Sequence, residues 1–226
     1  MIVLAVLVFI GLGHALILRL LSWPLLASGP SAECDCFCIH GGELGADGFE
    51  PYDAAAEWHE KPDGRRIILL LPRTTRIVEI GAVRSFEQTC LNELRKRGVP
   101  AMDVWPIRAD ARDVWDEAHA MADWLTAHPD SKVLMACSPF NSGRLRYVLA
   151  KVLRPADAAR VCLIWLPEPG ADVDAWWRSR SGVKDFMYAW LELIYARVEG
   201  DHARPLPAGA AAFQQEIRAQ VGEAPP

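Results

Sequence analysis

The sequence is short of positive charge. It has 24 Lys and Arg against 29 Asp and Glu, a net charge of −5. A nucleic-acid binder shows a basic face, and this balance argues against one. There is no internal repeat. There is no Walker loop and no complete dinucleotide fingerprint. No serine sits in a strained nucleophile-elbow sequence. Catalytic residues and any cofactor stay unassigned at this level. A long charged segment is also missing at the start. Between Met1 and Leu26 the only charged side chain is Arg19.

That apolar start is the first positive feature. About 20 apolar residues cross a bilayer as a helix, so residues 1–27 read as a transmembrane anchor. A cleaved signal peptide would begin with basic residues and a shorter apolar core. Neither is present, and Pro30 follows the small residues Ala27-Ser28-Gly29 directly. Trp23 falls where interfacial aromatics sit. Arg19, at the C-terminal side of the span, weakly favours a cytoplasmic domain.

After the anchor, short apolar runs alternate with helical patterns. Strands are expected at 34–40, 65–72, 102–107, 132–138 and 160–167. Helices are expected at 52–60, 85–98, 111–128, 141–153 and 183–199. This alternation predicts a Rossmann-like, doubly wound, mostly parallel sheet of about five strands covered on both faces. Gly98 and Pro100 close the second helix, and His128-Pro129 the third. The globular domain spans residues 30–200. The tail over 201–226, rich in Ala and Pro, reads as flexible.

Cys34, Cys36, Cys38 and His40 alternate along the first strand and predict a one-sided stripe. An extended strand from 34 to 40 covers about 20 Å. Zinc holds its ligands at about 2.0 to 2.3 Å, so one ion cannot gather all four. No second ligand pair follows. Buried strand cysteines are the favoured reading over metal or redox chemistry. Cys90, Cys137 and Cys162 read as core residues too.

In an open parallel sheet, ligands bind beyond the carboxyl ends of the strands. Three loops there carry features. Gly41 and Gly42 allow backbone N–H groups to approach an anion, and equally make a plain turn. Ser138 is a candidate N-cap, with Pro139 at the first helical position and Asn141 and Arg144 following. A helix start beside a guanidinium can seat a phosphate, or it can be a capped helix with solvated arginines. Asp110, Asp113, Asp116 and Glu117 open the third helix. Acids there complement the helix dipole, and a base role needs Asp110 or Asp113 to face the cleft.

The order of these pieces resembles the YdcF/SanA/ElyC-like family of bacterial envelope proteins. The resemblance covers roughly residues 34 to 199. It rests on the Gly41-Gly42 strand end, the helix from Asp53 to Trp58 and Glu87 on the next helix. It also rests on the Gly98–Pro100 turn, "SPFNSGR" and the tryptophan-bearing segment "WWRSRSGVKDFMYAWLELIYA". It implies a membrane-associated Rossmann-type domain outside the cytoplasm, acting in cell-wall biogenesis or the envelope barrier. Gly41, Gly42, Glu87, Asp113, Ser138, Asn141 and Arg144 are the ligand-binding residues it suggests, with no metal. Departures are clear: Asn141 replaces a histidine, and Ala111–Val114 replaces a Ser-x-Asn-Thr loop. Two functions follow. One is an anchored envelope factor binding a phosphorylated, nucleotide-like or lipid-linked anion. The other is a non-catalytic anchored interaction module with a degenerate pocket.

Overall fold

The computed structural model describes residues 13–29, 34–40, 51–61, 66–166 and 172–201. The described residues form a five-stranded sheet: β1 (Cys36–His40), β2 (Arg66–Pro72), β3 (Val104–Ala111), β4 (Val133–Cys137) and β5 (Val161–Trp165). Its order is β3-β2-β1-β4-β5, and every neighbouring pair is parallel. The α/β doubly wound fold expected from the strand–helix alternation is therefore present. β1 and β4 are buried along their whole length, as central parallel strands must be. β3 shows a different pattern. It alternates buried and exposed residues and carries Pro106, which an edge strand tolerates.

Eight helices surround the sheet in the described chain. They are α1 (residues 13–22), α2 (Tyr52–His59), α3 (Arg76–Glu79) and α4 (Phe86–Lys96), then α5 (Val114–Ala127), α6 (Ser142–Val152), α7 (Pro155–Ala158) and α8 (Arg180–Glu199). α2 and α4 pack on Phe37, Ile39, Ile67 and Leu69 on one face. α5 and α6 pack on Cys36, Cys38, Ile68 and Met135 on the other. The connections thus switch faces after β3, which places the topological switch between β1 and β4.

Local sequence explains the element ends. Ser85 opens α4 with a capping box closed by Gln88. Gly98 follows α4 at φ 86°, a left-handed turn suited to glycine. β3 runs four residues beyond its expected end at 107. Pro72 pairs with Ala111 through a register shift, and Asp110 takes φ 45° there.

The cysteine stripe needs one correction. Cys36 and Cys38 point to the α5–α6 face, whereas Cys34 precedes β1 and packs with the opposite cluster. Its thiol neighbours that of Cys162 on β5. Burial pushes the thiols of Cys34, Cys36 and Cys90 up to about 12, and raises that of Cys38 as well. None of the six cysteines is in a disulfide.

α1 lies against the domain. Leu18 and Leu25 join a third cluster with Phe140, Trp176, Phe186 and Leu193, in which Trp176 stacks on Phe186 at 3.8 Å. The Trp190 indole donates to Leu21 O at 3.1 Å. Among the described residues no helix is long and apolar enough to cross a membrane. Residues 1–12 of the expected anchor and residues 202–226 of the expected tail lie outside the described residues.

Candidate functional site

His40 ends β1. Register pairs Cys38 with Met135, so two residues further His40 stands beside Cys137, and Ser138 follows at the end of β4. His40, on the same strand face as Cys36 and Cys38, meets α5. Its Nδ1 lies 3.1 Å from Glu117 Oε2. The two side chains are 3% and 4% exposed. The layer around them is otherwise apolar, built of Cys38, Ile68, Leu70, Ala118 and Met121. Ser138 is buried as well. Two buried polar side chains, His40 and Glu117, thus meet at the carboxyl end of β1, beside the switch point where doubly wound sheets hold their ligands.

The chemistry of the pair follows from its components. With Glu117 ionised, Nδ1 is the donor and the carboxylate holds the ring in one orientation. A neutral imidazole then carries its basic nitrogen at Nε2. Charge inside a low-dielectric layer disfavours loss of either partner alone. Such an arrangement can accept or donate a proton, or bind a polar group, at the switch point.

The sequence-expected residues have other partners. Asp113 is the N-cap of α5 and accepts from Trp115 N and Asp116 N at 2.9 and 3.0 Å. Asp116 accepts from the backbone N–H and Nε of Arg112. In the acidic run it is Glu117, one turn beyond the cap, that reaches the strand ends. Glu87 lies in the first turn of α4, in the helix layer on the other side of the sheet from α6. Gly41 and Gly42 lie outside the described residues.

α6 begins at Ser142, not at Pro139. Asn141 occupies the cap position in a helical conformation and makes no side-chain cap bond. Chain packing explains the shift. Ser142 is fully buried, and its Oγ accepts from Ala27 N at 2.7 Å and lies 2.6 Å from Pro139 O and 3.2 Å from Leu25 O. A Cβ on Gly143 would stand 2.2 Å from Pro24 O and 2.7 Å from the Leu25 backbone. The "NSGR" stretch is therefore a clasp for the segment that follows α1. Only glycine permits that backbone approach.

Arg144 pairs with Glu192 of α8 at 2.9 Å, and its side chain is 17% exposed. Its Nε is buried and has no hydrogen-bond partner among the described residues. The guanidinium ties α6 to α8 in this structure.

One cavity lies elsewhere. A space of about 340 Å³ opens between the second half of α6, α7 and β5, lined by Gly29, Leu149, Leu153 and Cys162 with Arg146 at its side. It lies at the far end of α6 from Ser138 and shares no residue with the His40 site. Among the described residues, no three or more His, Cys, Asp or Glu side chains stand together as metal ligands. Compared with family models, curated proteins and solved structures, the chain matches none.

Proposed function

We propose that the chain is a membrane-anchored envelope factor whose domain binds a small phosphorylated or nucleotide-like ligand at the β1/β4 switch point. The apolar N-terminal segment anchors it in a bacterial cytoplasmic membrane with the domain on the outer side; residues 22–27 of that segment are packed on the domain, so the anchor is the part that precedes them. The chain acts in cell-wall biogenesis or the envelope barrier. One observation carries this reading: the His40–Glu117 pair, buried in an apolar layer at the carboxyl end of β1. A buried ionisable pair at a switch point is a functional-site candidate on its geometry. His40 is the acid–base or hydrogen-bonding group and Glu117 orients it; Ser138, at the end of β4, and Gly41 and Gly42, which follow His40 in the sequence, are further ligand-binding candidates.

A second reading has its own support. Arg144 is tied to Glu192, Asp113 is a helix cap, and the first turn of α6 is packed against Pro24 and Leu25. An anion seat centred on Arg144 is thereby weakened, which favours a non-catalytic interaction module.

Thermal shift on the full chain in detergent separates the two. Probes are inorganic phosphate, nucleoside mono- and diphosphates and a short polyprenyl phosphate. A ligand at a hundredfold over its Kd stabilises by about 2.7 kcal/mol. The ligand reading expects such a shift with one probe, lost in His40→Asn and in Glu117→Gln. No shift with any probe leaves the interaction module in its place.

A further inference from the structure

α8 has two apolar faces. Phe186, Ala189, Leu193 and Ala196 point into the fold and are buried. On the opposite side Val183, Met187, Leu191, Ile194, Tyr195 and Val198 are 41% to 82% exposed. Their spacing of three and four residues makes one continuous stripe, about 22 Å long from Val183 to Val198. A surface helix of a globular domain carries polar residues there. Here the acids Asp185, Glu192 and Glu199 stand on one flank. Arg180 and Lys184 stand at the head of the stripe.

The stripe does not stop at α8. Trp190, one turn from Met187 and Ile194, donates to Leu21 O and joins α1 to the stripe's edge. α1 docks through Leu18, Ser22 and the following Leu25. It leaves Leu16, Ile17, Leu20 and Leu21 exposed at 45% to 63%, with Trp23 beyond at 75%. Two adjacent helices therefore present apolar side chains outward. The 12 residues that precede α1, "MIVLAVLVFIGL", contain no charge.

We infer that α8 is a second membrane contact, lying in the interfacial plane beside the anchor with its outer stripe in the acyl–headgroup boundary. A lipid surface is the one occupant that receives the uncharged N-terminal run and covers both helices at once. A second copy would cover α8 without accounting for the uncharged 12-residue run. Interfacial helices bury their apolar face by about 5–10 Å, and the aromatic side chains Trp23, Tyr188 and Tyr195 suit that depth. Arg19, Arg180 and Lys184 supply cations for anionic headgroups. The inference rests on the membrane-anchored reading and adds that the domain is laid against the bilayer, not tethered away from it.

The test uses the full chain in vesicles of phosphatidylcholine with 30% phosphatidylglycerol (about one anionic lipid in three). Nitroxide labels are placed by Leu191→Cys, Ile194→Cys and, on the far side of the sheet, Glu57→Cys. Collisions with oxygen, enriched in lipid, are compared with those of a water-soluble nickel chelate. The expected result is an oxygen-to-nickel ratio several-fold higher at Leu191 and Ile194 than at Glu57. Ratios equal to that at Glu57, in a chain that floats with the vesicles, overturn the α8 contact and leave the anchor standing. Labels shielded from both quenchers and broadened by each other assign the stripe to a second copy and also overturn it. A chain that does not float with the vesicles overturns the anchor, and the contact with it.

Discussion

His40 and Glu117 are separated by 77 positions in sequence and by 3.1 Å in the fold. β1 supplies one and the first turn of α5 the other, and neither has more than 4% of its side chain exposed. Breaking a buried pair from one side leaves a charge or a polar ring without compensation. Glu117→Ala is expected to lose about 3–5 kcal/mol in urea unfolding. His40→Leu combined with Glu117→Met is expected to recover most of that loss, because an apolar pair of similar volume needs no desolvation. A Glu117→Ala chain within about 1 kcal/mol of the parent would remove the pair from any account of the site.

Arg144 is expected to act on stability and not on the ligand. Its pair with Glu192 is partly exposed, so Arg144→Ala should lower stability by about 1 kcal/mol. The same variant should keep any ligand-induced thermal shift that His40→Asn loses. If Arg144→Ala instead abolishes the shift at unchanged stability, the anion seat belongs at α6 and the His40 site is the wrong centre.

The clasp on the segment after α1 gives a third test. Gly143→Ala places a methyl group against Pro24 O and Leu25, and overpacking of this kind costs about 1–3 kcal/mol. Trypsin cleavage after Arg19, followed by mass spectrometry of the detergent-solubilised chain, should become several-fold faster. An unchanged rate would mean that the segment is held by other contacts.

The buried thiols set an alkaline limit. An unfolded chain gives up thiol protons near pH 8.5. Folded Cys34, Cys36 and Cys90 hold theirs to about 12, and Cys38 is shifted the same way. Between these limits the folded state binds more protons than the unfolded one. Stability is therefore unaffected below about pH 8.5 and falls as pH rises from there. Urea midpoints at pH 7, 9 and 10 check the direction. A flat profile would show that the thiols ionise freely in the fold.

The sheet was legible because hydrophobic period and punctuation are local. Four of the five runs that form strands, from the "CFCI" of β1 to the "VCLIW" of β5, are apolar in their interiors and short, β3 being the exception, and Gly98 and His128 mark helix ends. The site was not legible for the same reason. Glu117 looked like one acid among four at a helix start. Only the crossover from β3 to β4 brings that turn over β1. Arg144 reads as solvated in the sequence because its partner Glu192 sits on α8, two helices later. Ser138-Pro139 has the residue types of a helix start. The helix begins at Ser142 because Ala27 and Leu25 bond its hydroxyl. Cys34 left the stripe because β1 starts at Cys36, and parity holds only within a strand.

The clasp also bears on the order in which the chain is made. Segment 23–29 rests on Ser142 and Gly143, and Gly29 N–H donates to Leu163 O at 3.0 Å. β1 itself lies between β2 and β4. A ribosome that has released only the first hundred or so residues presents β1 with one edge open and the clasp with nothing to hold. The earliest-made part of the domain is thus completed by almost the last. Such long-range closure slows folding and leaves apolar strand edges exposed meanwhile. A chain halted before β5 has no finished domain to display, so truncations near residue 160 should be recovered as aggregates or degradation products and not as a smaller folded core.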